Sequence, residues 1–276
     1  MTAIGLAFAA SVLWGVGDFL AGLTSRRLAT LAVVALSQLF GLGGILLVAV
    51  FAGGDFLGTT AIAAAMGAGL AGAIGLACLY RGMAIGAMGV VAPISASAAL
   101  IPVTVGLARG ERPSALQLGG VALAVAGVVL VSREPGDGRR LSAGVPLALV
   151  AALGFGGYFV FMDRASADDA YWAVVVARAF ATTLALAVAA ARRALRVERS
   201  NLPVLVAVGM FDVGANLALA LALNEGYVSL VSVVAALYPV GTVLLAVTVL
   251  HERPTRSQAF GGAMALTGVG FISAAA

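Results

Sequence analysis

Arg178, Asp212 and Asp18 lie within long apolar stretches of this 276-residue chain, and Glu225 closes the stretch that holds Asp212. A charged group at the centre of a bilayer costs about 2.5 to 3.5 kcal/mol on insertion scales, so each needs a partner, a wet cavity or a bound solute. Asn216 follows Asp212 by four residues and Asp18 follows Trp14 by the same step, which sets each pair on one helix face. Facing one cavity, these groups could hold a small zwitterion. Arg178 would take its anionic end, Asp212 its cationic end or a coupling proton, and Asn216 would orient it. The same residue types also make a purely structural Arg178–Asp212 ion pair, and both readings stand. Trp14 lies too deep for an interfacial belt and reads as a cavity wall. Tyr80 is counted with the solute-facing residues, although the end of an apolar run also suits an interface aromatic. Glu225 fits the headgroup level.

The elements that must position these groups are transmembrane helices. Apolar residues make up 62% of the chain and charged residues 10%, with a mean hydropathy of +1.10, whereas soluble domains carry about 25% charged residues. Such a chain lacks the polar surface a soluble fold must show to water. A hydrocarbon core about 30 Å thick takes roughly 20 helical residues. Ten apolar runs of about that length follow one another, from 3–23 to 257–275. Connectors such as "TSRRLAT" and "RRALRVERSN" take up nearly all the rest. The 36 glycines suit helices packed closely in lipid, where small residues let backbones approach. The expected fold is an all-α integral membrane protein of about ten transmembrane helices.

Several chemistries are disfavoured. Cys78 and His251 are the only residues of their types, with no ligand-spaced cluster, so no metal and no cofactor is expected. The net charge of +4 comes from arginines in connectors, where they set topology, so nucleic acid is not an expected partner. No catalytic residue stands out. An integral membrane enzyme acting on a lipid-linked substrate is the alternative from another class, with only the "DD" at Asp168 and Asp169 to offer.

The sequence repeats itself. A shift of 140 aligns Leu13 with Leu153, Gly17 with Gly157, Phe40 with Phe180 and Gly69 with Gly209. After a one-residue slip, "ERPSALQLGG" from Glu111 aligns with "ERPTRSQAFGG" from Glu252. Two copies of one unit are expected, residues 1–137 and 138–276, each of five helices. Five is odd, so the second copy is inverted in the membrane, a plan in which solute binds at the seam between halves. The charges break this symmetry. Gln38 occupies the place of Arg178, Gly72 that of Asp212, and Tyr158 that of Asp18. Gln38 and Tyr158 join the solute-facing candidates on that ground. Gly17 and Gly157 are expected on the open seam, and "ERP" reads as punctuation with its proline in the first helical turn.

The "LWG" of Leu13–Gly15, the "GMAIGAMGVVAPI" from Gly82 and the twice-written "ERP…Q…G…G" resemble EamA-type members of the drug/metabolite transporter superfamily. That resemblance implies two five-helix repeats in the plasma membrane of a prokaryote. It implies export of a small metabolite, such as an amino acid, without ATP, along a route lined by the first, third, fourth, sixth, eighth and ninth helices. No phosphate-binding glycine loop is present, which agrees with a gradient or exchange as the energy source. The expected partners are a small-molecule substrate, the lipid bilayer and, in one version, a coupling proton. The expected oligomeric state is a monomer. Connectors after odd-numbered helices hold twelve arginines and the others three, which places both termini outside the cytoplasm.

Overall fold

Long runs of Ala, Leu, Val and Gly have no water in lipid to satisfy their peptide groups, so they close their hydrogen bonds within helices. A computed structural model describes residues 2–25, 27–85, 94–95, 97–131, 144–249 and 255–274. The helices are α1 (Thr2–Ser25), α2 (Thr30–Ala52), α3 (Thr59–Ile85), α4 (Leu100–Ala108), α5 (Ala115–Val131), α6 (Val145–Ser166), α7 (Ala170–Ala191), α8 (Leu202–Glu225), α9 (Val228–Ala235), α10 (Tyr238–Val249) and α11 (Arg256–Ala274). There is no strand among the described residues.

Six of these segments are long and apolar enough to cross a membrane, namely α1, α2, α3, α6, α7 and α8. The rest of the ten expected spans are shorter among the described residues. The run over 228–250 is not one helix, because it breaks at Ala236–Leu237 between α9 and α10. Pro239 has no N–H for the carbonyl four residues back, so the ladder of α9 cannot continue through it. The fourth run contains a related break, a 3₁₀ turn at Ser97–Ala99 before α4. Residues 86–93 of the "GMAIGAMGVVAPI" motif, His251 and the second "ERP" lie outside the described residues.

Helices pack across the two halves of the sequence. The principal partners are α3 with α6, α5 with α11, α1 with α8, α2 with α7, α2 with α8, and α3 with α7. A shift of about 140 residues maps this set of pairs onto itself. Glycine makes the closest approaches possible. A methyl at Gly120 on α5 would lie 2.6 Å from the Gly268 carbonyl oxygen, and one at Gly268 on α11 would lie 2.5 Å from the Gly120 oxygen. Gly41 on α2 faces Gly209 on α8 in the same manner, at 2.8 Å.

The repeated phrase turns out to be a helix start of a different kind from the one expected. Pro113 precedes α5 rather than sitting in its first turn. Ser114 is the cap: its Oγ accepts from Gln117 N (3.2 Å), and Gln117 Oε1 accepts from Ser114 N (2.8 Å), a reciprocal capping box. The second copy keeps the pattern in sequence, with Thr255 before α11 and Gln258 three residues on.

Glu111 does more than punctuate. Its carboxylate crosses to the other half and accepts from Val228 N (2.8 Å) and Ser229 N (3.2 Å), the first amides of α9. Tyr227 before α9 gives no side-chain cap, so this carboxylate satisfies amides that are otherwise orphaned. Gly106 leaves room for it, since a methyl there would lie 2.7 Å from Glu111 Cδ.

Candidate solute site

The charged residues singled out in the sequence converge at mid-helix. Arg178, near the centre of α7, donates from Nη1 to Gln38 Oε1 on α2 and to Asp212 Oδ2 on α8, the latter at 2.5 Å. Gln38 and Arg178 are repeat equivalents, so this contact joins the two halves at matching positions. The Arg178 side chain is only 4% exposed, whereas that of Asp212 is 30% exposed. Nη2 of Arg178 is buried without a hydrogen-bond partner. A solute carboxylate therefore cannot reach the guanidinium in this conformation, and the pairing of Arg178 with a solute anion finds no support in the geometry.

Beside this triad runs a small cleft. Trp14, Asp18, Gln38 and Asp212 line it, with apolar walls that include Val33, Val34, Leu76 and Val208. The helices involved are α1, α2, α3 and α8. The second helix thus contributes a wall that the expected route omitted, while the fourth, sixth and ninth runs contribute none. Trp14 is held by edge-to-face contacts with Phe159 (centroids 6.1 Å apart) and Tyr238 (6.3 Å). Its i, i+4 relation to Asp18 places both on the cleft, as helical spacing requires.

The second i, i+4 pair divides. Asp212 reaches the cleft, but Asn216 is buried one turn away and accepts from the Tyr158 hydroxyl at 2.5 Å. Tyr158 also packs over Gly72, where a methyl would lie 3.2 Å from its ring. The repeat equivalents of Asp18 and Asp212 are Tyr158 and Gly72. An aromatic ring therefore occupies the place that mirrors the cleft. The Tyr80 side chain lies outside the described residues.

Gly17 lines the cleft, where a methyl would make ordinary contact with Phe211 Cβ at 3.4 Å. Gly157 does not face open space as expected: a methyl there would meet Ala71 Cβ at 3.5 Å, a helix contact of the kind small residues make in lipid.

The cleft occupies one half of the bundle's depth. Its residues come from the C-terminal half of α1, the N-terminal halves of α2 and α8 and the C-terminal half of α3, which is the end bearing the α1–α2 connector. Cross-half ties gather at the opposite end. Arg109 pairs with Asp163 (2.7 Å), Glu111 caps α9, Asp168 Oδ2 accepts from Gly58 N (3.1 Å), and Phe56 packs edge-on against Trp172 (5.1 Å). The "DD" pair is thus committed to structure, since Asp169 caps α7 through Trp172 N at 2.8 Å. Glu111 and Asp168 each act on a segment more than a hundred residues away.

Among the described residues no group of three or more His, Cys, Asp or Glu side chains is placed to hold a metal ion. A model of the EamA-like transporter family matches residues 1–133 and again residues 142–274. No curated protein matches the chain significantly. A solved structure titled "Crystal structure of protein" superposes with a TM-score of 0.82 at 18% identity, covering 99% of this chain and 96% of its own. At that identity the likeness concerns the fold.

Proposed function

The chain belongs to the EamA-like transporter family, and from that premise we propose that it is a secondary transporter exporting a small polar or amphipathic metabolite across the plasma membrane of a prokaryote. Residues 1–137 and 138–276 act as two inverted five-helix units that rock about the seam and expose one site alternately to each side. Solute sits in the cleft against Trp14, Asp18, Gln38 and Asp212, with Arg178 behind them. Tyr158 and Asn216 complete the seam next to it. A gradient, with a proton as the coupling ion, or exchange drives the cycle, and the monomer is the working unit.

The observation that carries this reading is a charged cleft at the meeting of two sequence-related halves, with the opposite end of the seam tied shut. An enzyme acting on a lipid-linked substrate has less support, because Asp168 and Asp169 are both engaged as backbone acceptors. Flux in proteoliposomes tests the proposal, using labelled amines, amino acids and organic acids, with and without a pH gradient and without nucleotide. Saturable flux above that of protein-free vesicles is expected for at least one class. Flux indistinguishable from empty vesicles for every class would refute it.

A further inference from the structure

Among the described residues the cleft presents carboxylates and no available cation. Two of its described lining residues, Asp18 and Asp212, are acidic and none is basic. Arg178 stands behind the lining with its Nη1 bonded to Gln38 and Asp212, and with 4% of its side chain exposed. It serves as the internal counter-ion of Asp212. Asp18 has no such companion: among the described residues its side chain makes no hydrogen bond and no ion pair, and it faces the cleft. An unpaired carboxylate in a largely apolar cleft is costly unless a cation or a proton comes to it. Trp14 stands one helical turn away, its ring fixed by Phe159 and Tyr238, and an indole face attracts a cation. The remaining walls are apolar: Ala21, Val33, Val34, Leu76 and Val208.

On the premise that this cleft carries the transported solute, we propose that it selects a cationic amphipathic solute, an amine with an apolar body, whose ammonium group sits between Asp18 and the Trp14 ring. Arg178 is then a positioning residue that holds Asp212 and does not touch the solute. The arrangement exists once per chain, because the repeat equivalents of the two acids are Tyr158 and Gly72 and the tyrosine ring fills that place. A singly charged solute matches the one carboxylate left without a counter-ion. An organic acid of the same shape meets repulsion at Asp18 and finds no guanidinium among the described lining residues.

Equilibrium binding to the purified full chain in detergent separates the cases, with phenethylamine and 3-phenylpropionate as a cation and anion of similar body. The amine is expected to bind at least about tenfold more tightly than the acid, the scale of one desolvated cation–π and ionic contact. Asp18→Asn, which keeps the side-chain shape, should remove that preference, and Asp18→Glu should keep it. Size-exclusion profiles of each variant verify that the fold survives. Equal or reversed preference in the wild-type protein would overturn the assignment of solute charge while leaving a transporter of another solute class intact. Binding of neither probe would overturn it as well, and the flux measurement then decides the transport reading on its own. An amine preference that persists undiminished in Asp18→Asn would also contradict the inference.

Discussion

Asp212→Asn should damage the protein far more than Arg178→Gln, although the two substitutions remove the same ion pair. The difference follows from burial. The Arg178 side chain is 4% exposed and already has one nitrogen, Nη2, without a partner. Taking the charge from Asp212 leaves a guanidinium that cannot lose its proton, held only by the neutral oxygens of Gln38 and the new amide. Breaking a buried pair in this way costs about 3 to 5 kcal/mol. The opposite change leaves the Asp212 carboxylate, which is 30% exposed towards the cleft. Water or a proton can reach it there, so the cost falls to roughly 1 to 2 kcal/mol, that of an incompletely satisfied polar group. The double variant, Arg178→Gln with Asp212→Asn, leaves no stranded charge and should be more stable than Asp212→Asn alone. Thermal unfolding in detergent, followed by tryptophan fluorescence and by size exclusion after heating, gives the order: wild type, then Arg178→Gln and the double variant, then Asp212→Asn. A less stable Arg178→Gln than Asp212→Asn, or a double variant no better than the worse single, would show that the guanidinium is not the stranded partner.

Three further outcomes are expected. Glu111→Gln and Gly106→Ala should each lower stability by about 1 to 2 kcal/mol in the same thermal assay, because the first weakens the cap on α9 and the second puts a methyl 2.7 Å from Glu111 Cδ; unchanged unfolding in both would remove the cap from the account. Gly120→Val should reduce the yield of folded protein sharply, since its Cβ would sit 2.6 Å from the backbone oxygen of Gly268 and overpacking against backbone costs on the order of 1 to 3 kcal/mol or more; normal yield would mean that α5 and α11 part easily. A C-terminal fusion to a reporter active only outside the cytoplasm should be active, given twelve arginines in connectors on one face and three on the other; activity of a cytoplasm-only reporter would reverse the orientation.

Much of the fold is legible because lipid imposes simple rules. Apolar length yields helices, and the 140-residue shift identifies which helices correspond, so the contact of Gln38 with Arg178 follows a line already visible in the sequence. The i, i+4 step places Trp14 and Asp18 on one wall for the same reason. What failed to show is set by tertiary geometry. Asp212 and Asn216 share a helix face, but a cleft is narrower than a helix face, and Tyr158 reaches only the deeper of the two. Gly157 looked like open seam, whereas only the neighbouring helix reveals that a methyl there would meet Ala71. The capping box in "SALQ" was readable in principle from its spacing, though the proline beside it drew the helix start two residues too early. The reach of Glu111 to α9 carries no local signal at all.

The most direct test of the central claim, that solute passes through the cleft at the seam, uses a cysteine at Val34, a lining position, in a background where Cys78 is replaced by alanine. In sealed proteoliposomes active for solute flux, Val34→Cys should react with a small membrane-impermeant thiol reagent. Saturating solute should slow the reaction, and full modification should abolish flux. Flux that continues undiminished after complete modification would contradict the claim, since the solute would then be travelling elsewhere.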